Sequence, residues 1–211
     1  PVGSDPLVFF TTIPPALAQA AAMSPTTPDP VAILIYPGTY SAALALVSNV
    51  SLVSTARRPT IISGPVTWTP GAGINAPQAA VREDIDINSI VFTSSLSIDA
   101  TAKTGSVSIF DARDSAFRGG VSHIGRSSGV DIWQAWGVVA FNLPLSFDSV
   151  NVNFFACSID ALSFTGDSAI DIRGCEIFGN VSISGAIPIN SFIEATQING
   201  TVFVGNLCFV G

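Results

Sequence analysis

Residues 170 to 183 read Ile-Asp-Ile-Arg-Gly-Cys-Glu-Ile-Phe-Gly-Asn-Val-Ser-Ile, and residues 193 to 204 read Ile-Glu-Ala-Thr-Gln-Ile-Asn-Gly-Thr-Val-Phe-Val. One constant shift along the chain superimposes apolar or glycine positions of the first stretch on the second. The superimposed positions are Ile172, Ile177, Gly179, Val181 and Ile183 on Ile193, Ile198, Gly200, Val202 and Val204. A fixed period of about 20 residues is typical of a solenoid, in which successive coils of the chain stack on one another.

The same pattern extends toward the N-terminus. A slightly shorter shift places Phe154, Cys157 and Ile159 over Ile172, Cys175 and Ile177. Looser and slightly longer shifts then reach Ile132 and Ile109. We therefore expect the inward-facing positions of the earlier coils to include these two isoleucines.

Short alternating runs fill the chain from Val31 onward, with the period of two expected of strands that have one buried face. These runs are Val31–Tyr36, Val50–Ser54, Thr60–Ile62, Val66–Thr69, Ile85/Ile87, Val107/Ile109, Val130/Ile132, Val150/Val152/Phe154 and Ile170/Ile172. One coil is too thin to bury its own side chains, so neighbouring coils must stack at about 4.8 Å. An antiparallel sandwich would explain the alternation but not the register. The pattern predicts an all-β fold, a single-stranded right-handed parallel β-helix.

A short helix is predicted before the strands, at Pro14–Ala22, with Thr12 as N-cap, prolines in the first turn and a stripe of Ile13, Leu17 and Ala21. Such a helix would cover the open first coil, whose strand edges otherwise invite aggregation. We accordingly divide the chain into an N-terminal segment with a capping helix, residues 1–30, and a parallel β-helix, residues 31–211.

The composition excludes several classes of partner. Charged residues make up 11% of the chain, against roughly 25% in ordinary soluble domains. A net charge of −7 disfavours nucleic acid, whose binding depends on clustered Lys and Arg. The longest apolar strand-like run, Val31–Tyr36, is far too short to span a bilayer, and no basic region precedes an apolar stretch near Pro1 as in a secretion signal.

The chain has three cysteines, Cys157, Cys175 and Cys208. This number is small and odd, so the cysteines do not form a disulfide framework of the kind found in small secreted proteins. No Cys-x-x-Cys pair or Cys/His cluster suggests zinc. Because Cys157 and Cys175 share one coil offset among apolar neighbours, we expect them to be buried, reduced and stacked in adjacent coils.

The opening of the chain resembles the first coil of pectinesterase-like proteins in the pectate-lyase-like β-helix superfamily. The resemblance lies in the helix Pro14–Ala22, the strand Val31–Tyr36, the turn Pro37-Gly38-Thr39-Tyr40 and the stretch Ser48–Val53. The segment Ile170–Asn180 similarly resembles the generic coil repeat of that superfamily. The resemblance implies the fold, which enzymes, phage tailspikes and virion proteins share.

The catalytic residues of that superfamily are missing. Where pectinesterases carry a Glu two residues after Gly-x-Tyr, this chain has Ala42. The Gln-Asp and Leu-Gly-Arg-Pro-Trp elements, the calcium-binding acids of pectate lyases and the clustered Asp, His-Gly and Arg-x-Lys elements of polygalacturonases have no counterpart. A fold does not carry an activity across when the site is absent, so we predict no catalytic residues, no metal, no cofactor and no enzyme activity.

Two acidic groups are the strongest candidates for a site. Asp111, Asp114 and Asp131, beside Arg113 and Arg118, could present paired carboxylates as in glycoside hydrolysis. Their spacing does not follow the coil register, so we interpret them as loop residues with local ion pairs. The second group consists of Glu83, Asp84 and Asp86. Its carboxylates could offer oxygen ligands to calcium, but we interpret the group as a solvated strand edge.

His123 is the only histidine, and Ser122, Ser127 and Ser128 near it show no nucleophile-elbow motif, so we interpret it as a coil-surface or turn residue.

Three tryptophans could stack on sugars, but Trp133 and Trp136 are three residues apart and point to opposite faces of a strand. We expect one of them inside, with a core or subunit-interface role. The three tryptophans are Trp68, Trp133 and Trp136.

The chain also matches the N-glycosylation acceptor pattern at Asn49, Asn180 and Asn199. Such matches arise by chance in chains rich in Ser and Thr.

These observations favour a non-enzymatic structural or assembly protein, a capsid or spike component of a virion or an extracellular surface protein. Its expected partners are further copies of itself, with a trimer as one form, or other virion or surface proteins, and a glycan contact stays open. The alternatives are a polysaccharide-active lyase, esterase or glycoside hydrolase with an unfamiliar site, and a carbohydrate-binding solenoid. Because the repeat continues to Val204 and then Leu207 and Phe209 without a capping helix, we expect the C-terminal coil to be an assembly contact.

Overall fold

A computed structural model of the chain describes residues 9–55, 59–70, 83–103, 108–126, 131–136, 139–185 and 191–205. In these ranges the chain forms one α-helix, α1 (Ile13–Ala22), and 24 strands arranged as a parallel β-solenoid. Each coil contributes one strand to each of three eight-stranded sheets. The expected all-β fold of stacked parallel coils, with a short N-terminal helix, is confirmed.

The strands, numbered in chain order, repeat with a period of three. Sheet 1 contains β1 (Val31–Ile35), β4 (Val50–Ser54), β7 (Glu83–Asn88), β10 (Ser108–Arg113), β13 (Asp131–Trp136), β16 (Val150–Phe155), β19 (Ile170–Arg173) and β22 (Phe192–Glu194). Sheet 2 contains β2 (Gly38–Tyr40), β5 (Thr60–Ile62), β8 (Ile90–Phe92), β11 (Ala116–Phe117), β14 (Ala140–Phe141), β17 (Ser158–Ile159), β20 (Glu176–Ile177) and β23 (Gln197–Ile198). Sheet 3 contains β3 (Leu44–Ala45), β6 (Val66–Trp68), β9 (Leu96–Asp99), β12 (Val121–Ile124), β15 (Leu145–Asp148), β18 (Leu162–Thr165), β21 (Val181–Ile183) and β24 (Val202–Val204).

The register of the last coils is the one that the repeat predicts. The constant shift of the C-terminal repeat reappears as residue pairs in all three sheets, and the shorter shift before it reappears between β16–β17 and β19–β20. The pairs are Ile172 with Ile193, Ile177 with Ile198, Val181 with Val202, Ile183 with Val204, Phe154 with Ile172, and Ile159 with Ile177. Like residues therefore lie over like, and the inward side chains of the stacked coils form one continuous core.

The extension of the repeat to Ile132 and Ile109 is wrong. These two isoleucines pair with each other in sheet 1 but lie on the face opposite to Phe110 and Trp133, which are fully buried in the core cluster. Ile109 is 9% exposed on that outer face, and Ile132 is half-buried. Phe154 pairs with Ala135, three residues after Ile132, and because side chains alternate along a strand an odd error in register exchanges the buried and the outer face. Val107 and Val130, the other members of these expected pairs, lie outside the described residues.

The helix α1 covers the first coil, as predicted. Ile13, Leu17 and Ala20 are buried in the core cluster, and the helix packs on β1 and β3. Ala20 takes the place expected for Ala21, because the pitch of an α-helix brings position 20 rather than 21 onto the covered face. Thr12 is the N-cap residue but its side chain makes no capping hydrogen bond.

The last described coil is open. Apolar side chains of β22 and β24 are between 41% and 54% exposed, and no further coil stacks beneath them within the described residues. They are Phe192, Ile193, Val202, Phe203 and Val204. Three of them, Ile193, Val202 and Val204, occupy positions that are buried one coil earlier, where a further described coil stacks beneath them. Leu207 and Phe209, also expected at this contact, lie outside the described residues.

Candidate functional site

The first acidic group does not converge on one site. Asp131 points inward and is completely buried; it accepts hydrogen bonds from Ser108 Oγ at 2.6 Å and Arg126 Nη2 at 3.0 Å. Burial opposes ionisation, but hydrogen bonds from Arg126 and Ser108 outweigh it and lower the pKa of Asp131. The carboxylate therefore joins the ends of two coils from the inside, a structural role.

Asp111, in contrast, lies on the outer face of sheet 1, beside Asp86 of the preceding coil. Its Oδ2 accepts a 2.7 Å hydrogen bond from Arg113 Nη2, while Oδ1 is buried without a partner among the described residues. Burial raises the pKa of Asp111, and the hydrogen bond from Arg113 opposes that shift. Asp114 occupies a left-handed corner, with φ 46°, and Arg118 follows β11 in sheet 2. Asp111 and Asp131, the two members of the group that lie in strands, are therefore on opposite faces of sheet 1.

The second acidic group is also divided. Glu83 points inward, where its Oε1 pairs with Lys103 Nζ at 2.9 Å and its Oε2 accepts a hydrogen bond from Ser48. Asp84 and Asp86 lie on the outer face, so the three carboxyls share no cage for calcium. The described part of the chain contains no group of three or more His, Cys, Asp or Glu side chains that could hold a metal ion.

The interpretation of His123 as a surface residue is wrong. It is fully buried in β12, between Ile98 and Phe147 of the adjacent coils, and its ring lies 6.2 Å from that of Trp133. Neither ring nitrogen has a partner among the described residues, and burial lowers the pKa of His123 to about 4. An inward, neutral imidazole reaches no solvent-side substrate. Ser122 lies on the outer face, and Ser127 and Ser128 lie outside the described residues.

The tryptophans separate as the alternation predicts. Trp68 and Trp133 are core residues, whereas Trp136 is 38% exposed at the end of β13. Its indole stacks on the ring of Phe155 in the next coil, with centroids 4.4 Å apart and an angle of 5° between the planes. The guanidinium of Arg173, one coil further, lies 5.9 Å from the Phe155 centroid.

Two parallel rows of side chains thus cover the outer face of sheet 1. The aromatic row consists of Arg113, Trp136, Phe155 and Arg173. The acid-amide row, two residues earlier in each strand, consists of Asp86, Asp111, Gln134, Asn153 and Asp171. Ion pairs of 2.7 Å connect the rows at Arg113–Asp111 and at Arg173–Asp171, and the guanidinium of Arg173 lies 5.9 Å from the ring centroid of Phe192.

Sequence reasoning did not identify Phe155 or Arg173 as surface residues. Their positions follow from the register, which pairs Phe155 with Arg173 and pairs the preceding Phe154 with Ala135 beside Trp136. Phe155 directly follows the inward Phe154, so alternation alone places it outside. The signal was present, but only the correct register over successive coils brings the four side chains into one row.

The glycosylation matches have different surroundings. Asn49 is buried, and its Oδ1 accepts the backbone N–H of Asp84 at 3.1 Å, so its side chain serves the fold. Asn180 and Asn199 are exposed; Asn180 Oδ1 accepts the N–H of Thr201 at 2.9 Å. An acceptor role is therefore incompatible with the structure at Asn49.

No family model, no curated protein and no solved structure matches this chain. The parallel β-solenoid is consistent with the β-helix superfamily that the opening residues resemble, and no relative narrows that assignment. Within the described ranges, no helix has the length and apolar character needed to cross a membrane.

Proposed function

We propose that this chain is a non-enzymatic structural protein of a virion or extracellular surface, and that it assembles with further copies of itself through the outer face of sheet 1. The observation that carries the proposal is the stack of the exposed Trp136 on Phe155, which lies in one row between the strand positions of Arg113 and Arg173. Trp and Arg are the residues most enriched in the energetically dominant parts of protein interfaces, and Phe is enriched in their cores.

The orientation of the rings favours a protein partner over a glycan. A sugar stacks on the open face of an aromatic ring. Here Trp136 and Phe155 cover each other's inner faces, and Arg173 lies over Phe155. The Phe155 ring therefore has a neighbour on each face, and this layered stack of rings and a guanidinium fits between the side chains of an opposing surface better than beneath a pyranose.

The charge pattern of the two rows favours a second copy of the chain as the partner. The aromatic row has cations at both ends, and the acid-amide row has Asp111 and Asp171 at the same levels. A two-fold axis parallel to the solenoid axis, passing between the rows, would place each arginine opposite an aspartate of the other copy. Such a contact is self-complementary, as a symmetric dimer requires. The open coil at Phe192 extends the same apolar surface.

The proposal is tested by sedimentation velocity over a range of protein concentrations. We expect reversible association in the wild type, and a loss of at least about tenfold in association constant in Trp136→Ala and Phe155→Ala, because each removes an interface aromatic side chain. Phe178→Ala is the matched control: Phe178 is 51% exposed but lies outside sheet 1, so its removal should leave association unchanged.

A charge exchange distinguishes self-association from binding to another protein. Asp171→Arg and Arg173→Glu should each weaken association, because each creates a like-charge contact with the opposing copy. The double variant should restore association among its own copies. A wild type that stays monomeric at all concentrations, or association indifferent to Trp136→Ala, would refute the proposal; retention by a glycan surface dependent on Trp136 would replace it with the carbohydrate-binding alternative.

A further inference from the structure

Cys157 and Cys175 occupy equivalent corners of adjacent coils, between sheets 1 and 2. They are buried and not joined by a disulfide, as predicted. The backbone N–H of Cys157 donates to Cys175 Sγ at 3.3 Å. The same corner two coils earlier holds Ser115, whose Oγ accepts the N–H of Ile90 at 3.2 Å. Ser115 shows that this position accommodates a small polar side chain, and the two thiols form a stacked pair in the same environment.

The two cysteine side chains have the same orientation. Each sulfur contacts the carbonyl oxygen two residues earlier in its own coil, at 3.4 Å in both cases. Each also contacts a carbonyl of the preceding coil: Cys157 Sγ lies 3.6 Å from Ala135 O, and Cys175 Sγ lies 3.5 Å from Phe154 O. Ala135 and Phe154 are themselves register partners. The two sulfurs are therefore related by one coil step and separated by the coil spacing of about 4.8 Å.

This separation does not suit a disulfide, whose sulfurs are about 2.05 Å apart. It is close to the span of a linear S–metal–S unit, since two bonds of about 2.3 Å, the length of a zinc–thiolate bond, span about 4.6 Å. Thiolates are soft ligands that select ions such as Cu(I). A shallow groove of about 450 Å³ at the corner is lined by both cysteines and by Glu176 and Gln197, which gives an ion a route from solvent.

We propose that Cys157 and Cys175 form a two-coordinate site for a soft monovalent ion of the Cu(I) class. On binding, each S–H bond is replaced by a sulfur–metal bond and two protons leave to solvent, so two thiols and one monovalent ion give a bis-thiolate complex of charge −1. The Cys157 N–H continues to donate to the Cys175 sulfur and partly compensates that charge.

The test begins with anaerobic titration of the reduced full chain with Ag(I), a redox-inert substitute for Cu(I). A second titration uses Cu(I) in competition with a chromophoric Cu(I) chelator. Native mass spectrometry counts the bound ions. We expect one tight ion in the wild type and in Cys208→Ser. Cys157→Ser and Cys175→Ser should bind at least about 100-fold more weakly, since a ligand loss exceeds the usual effect of losing a supporting group. Serine fits this corner, as Ser115 does, and circular dichroism verifies folding.

X-ray absorption of the Cu(I) form of Cys208→Ser gives an independent readout that needs no cysteine variant at the site. Two sulfur neighbours and no others are expected. Absence of a tight ion, retention of it in Cys157→Ser or Cys175→Ser, or binding that disappears with Cys208 alone would overturn the site. Formation of a Cys157–Cys175 disulfide under mild peroxide without a change in coil packing would contradict the spacing on which it rests.

Discussion

At the scale of single residues, His123 is a titratable side chain that is fully buried in the core. Its neighbours in the ladder, Ile98 and Phe147, are apolar, and the charges that act on it come from Asp131 and Asp99. Both carboxylates favour the protonated imidazole, but burial has the larger effect. A neutral histidine with two unsatisfied nitrogens costs stability at neutral pH and more at acidic pH.

The first prediction concerns the pH dependence of unfolding. The pKa of His123 is about 4 in the folded chain and near 6.5 when unfolded, so the unfolded state binds more protons between these values. The free energy of unfolding is therefore unaffected by this titration above pH 6.5 and falls as the pH drops toward 4, by roughly 3 kcal/mol in total. His123→Leu should remove this part of the acid sensitivity and raise stability at pH 7 by about 1–3 kcal/mol.

Urea unfolding at pH 7 and near pH 4 measures both effects. Ser122→Ala, on the outer face of the same strand, is the control and should leave the pH dependence of the wild type unchanged. Equal slopes for the wild type and His123→Leu across this pH range would show that the imidazole is hydrated or paired in solution.

At the scale of secondary-structure elements, each short strand is stable only through the coils on both sides of it. The strand β20 contains two residues, Glu176 and Ile177, and Ile177 is completely buried between Ile159 and Ile198. Two residues cannot form an independent strand, so the position of β20 depends on this stack. The turn that follows is equally constrained, because a Cβ at Gly200 would collide with the Gly179 carbonyl of the coil above.

The second prediction is that Ile177→Ala lowers the free energy of unfolding by about 2–5 kcal/mol, the range for emptying a well-packed apolar site. The adjacent Phe178→Ala removes a larger side chain that points to solvent and should change stability by less than about 0.5 kcal/mol. Chemical denaturation of both variants makes the comparison. A larger loss for Phe178→Ala than for Ile177→Ala would mean that the inner and outer faces of this coil have been exchanged.

At the scale of the whole molecule, the described chain is a closed stack at one end and an open one at the other. The helix α1 covers the first coil, and the apolar side chains of the last described coil, Phe203 among them, are half exposed. Along the side, the aromatic and acid-amide rows run over several coils. These features extend over several coils of the described surface.

The third prediction follows from the arrangement of carboxylates over the described solenoid. Asp111 lies on the outer face, Asp131 faces the core, and Glu83 is paired with Lys103 inside, so these acids do not flank a common substrate position. We expect no lyase, esterase or hydrolase turnover on pectin-like polymers. Reducing-end and unsaturated-product assays of the wild type test this, with Asp111→Asn as the control for any trace activity. Turnover that disappears in Asp111→Asn would establish the enzyme alternative.

The coil repeat and the capping helix followed from the sequence alone. Stacked coils place equivalent residues over one another, so Ile172, Ile177 and Cys175 each have a counterpart at a regular spacing that is visible in one dimension. Where the spacing of the coils changes, as at Ile109 and Ile132, only the three-dimensional register decides which residues face the core. The same register places His123 in the core, puts Asp111 and Asp131 on opposite faces of sheet 1, and aligns Trp136 with Phe155 on the surface. The physical reason is that side chains alternate along each strand, so the face that a residue occupies and the side chains that become its neighbours depend on the register of the stacked coils.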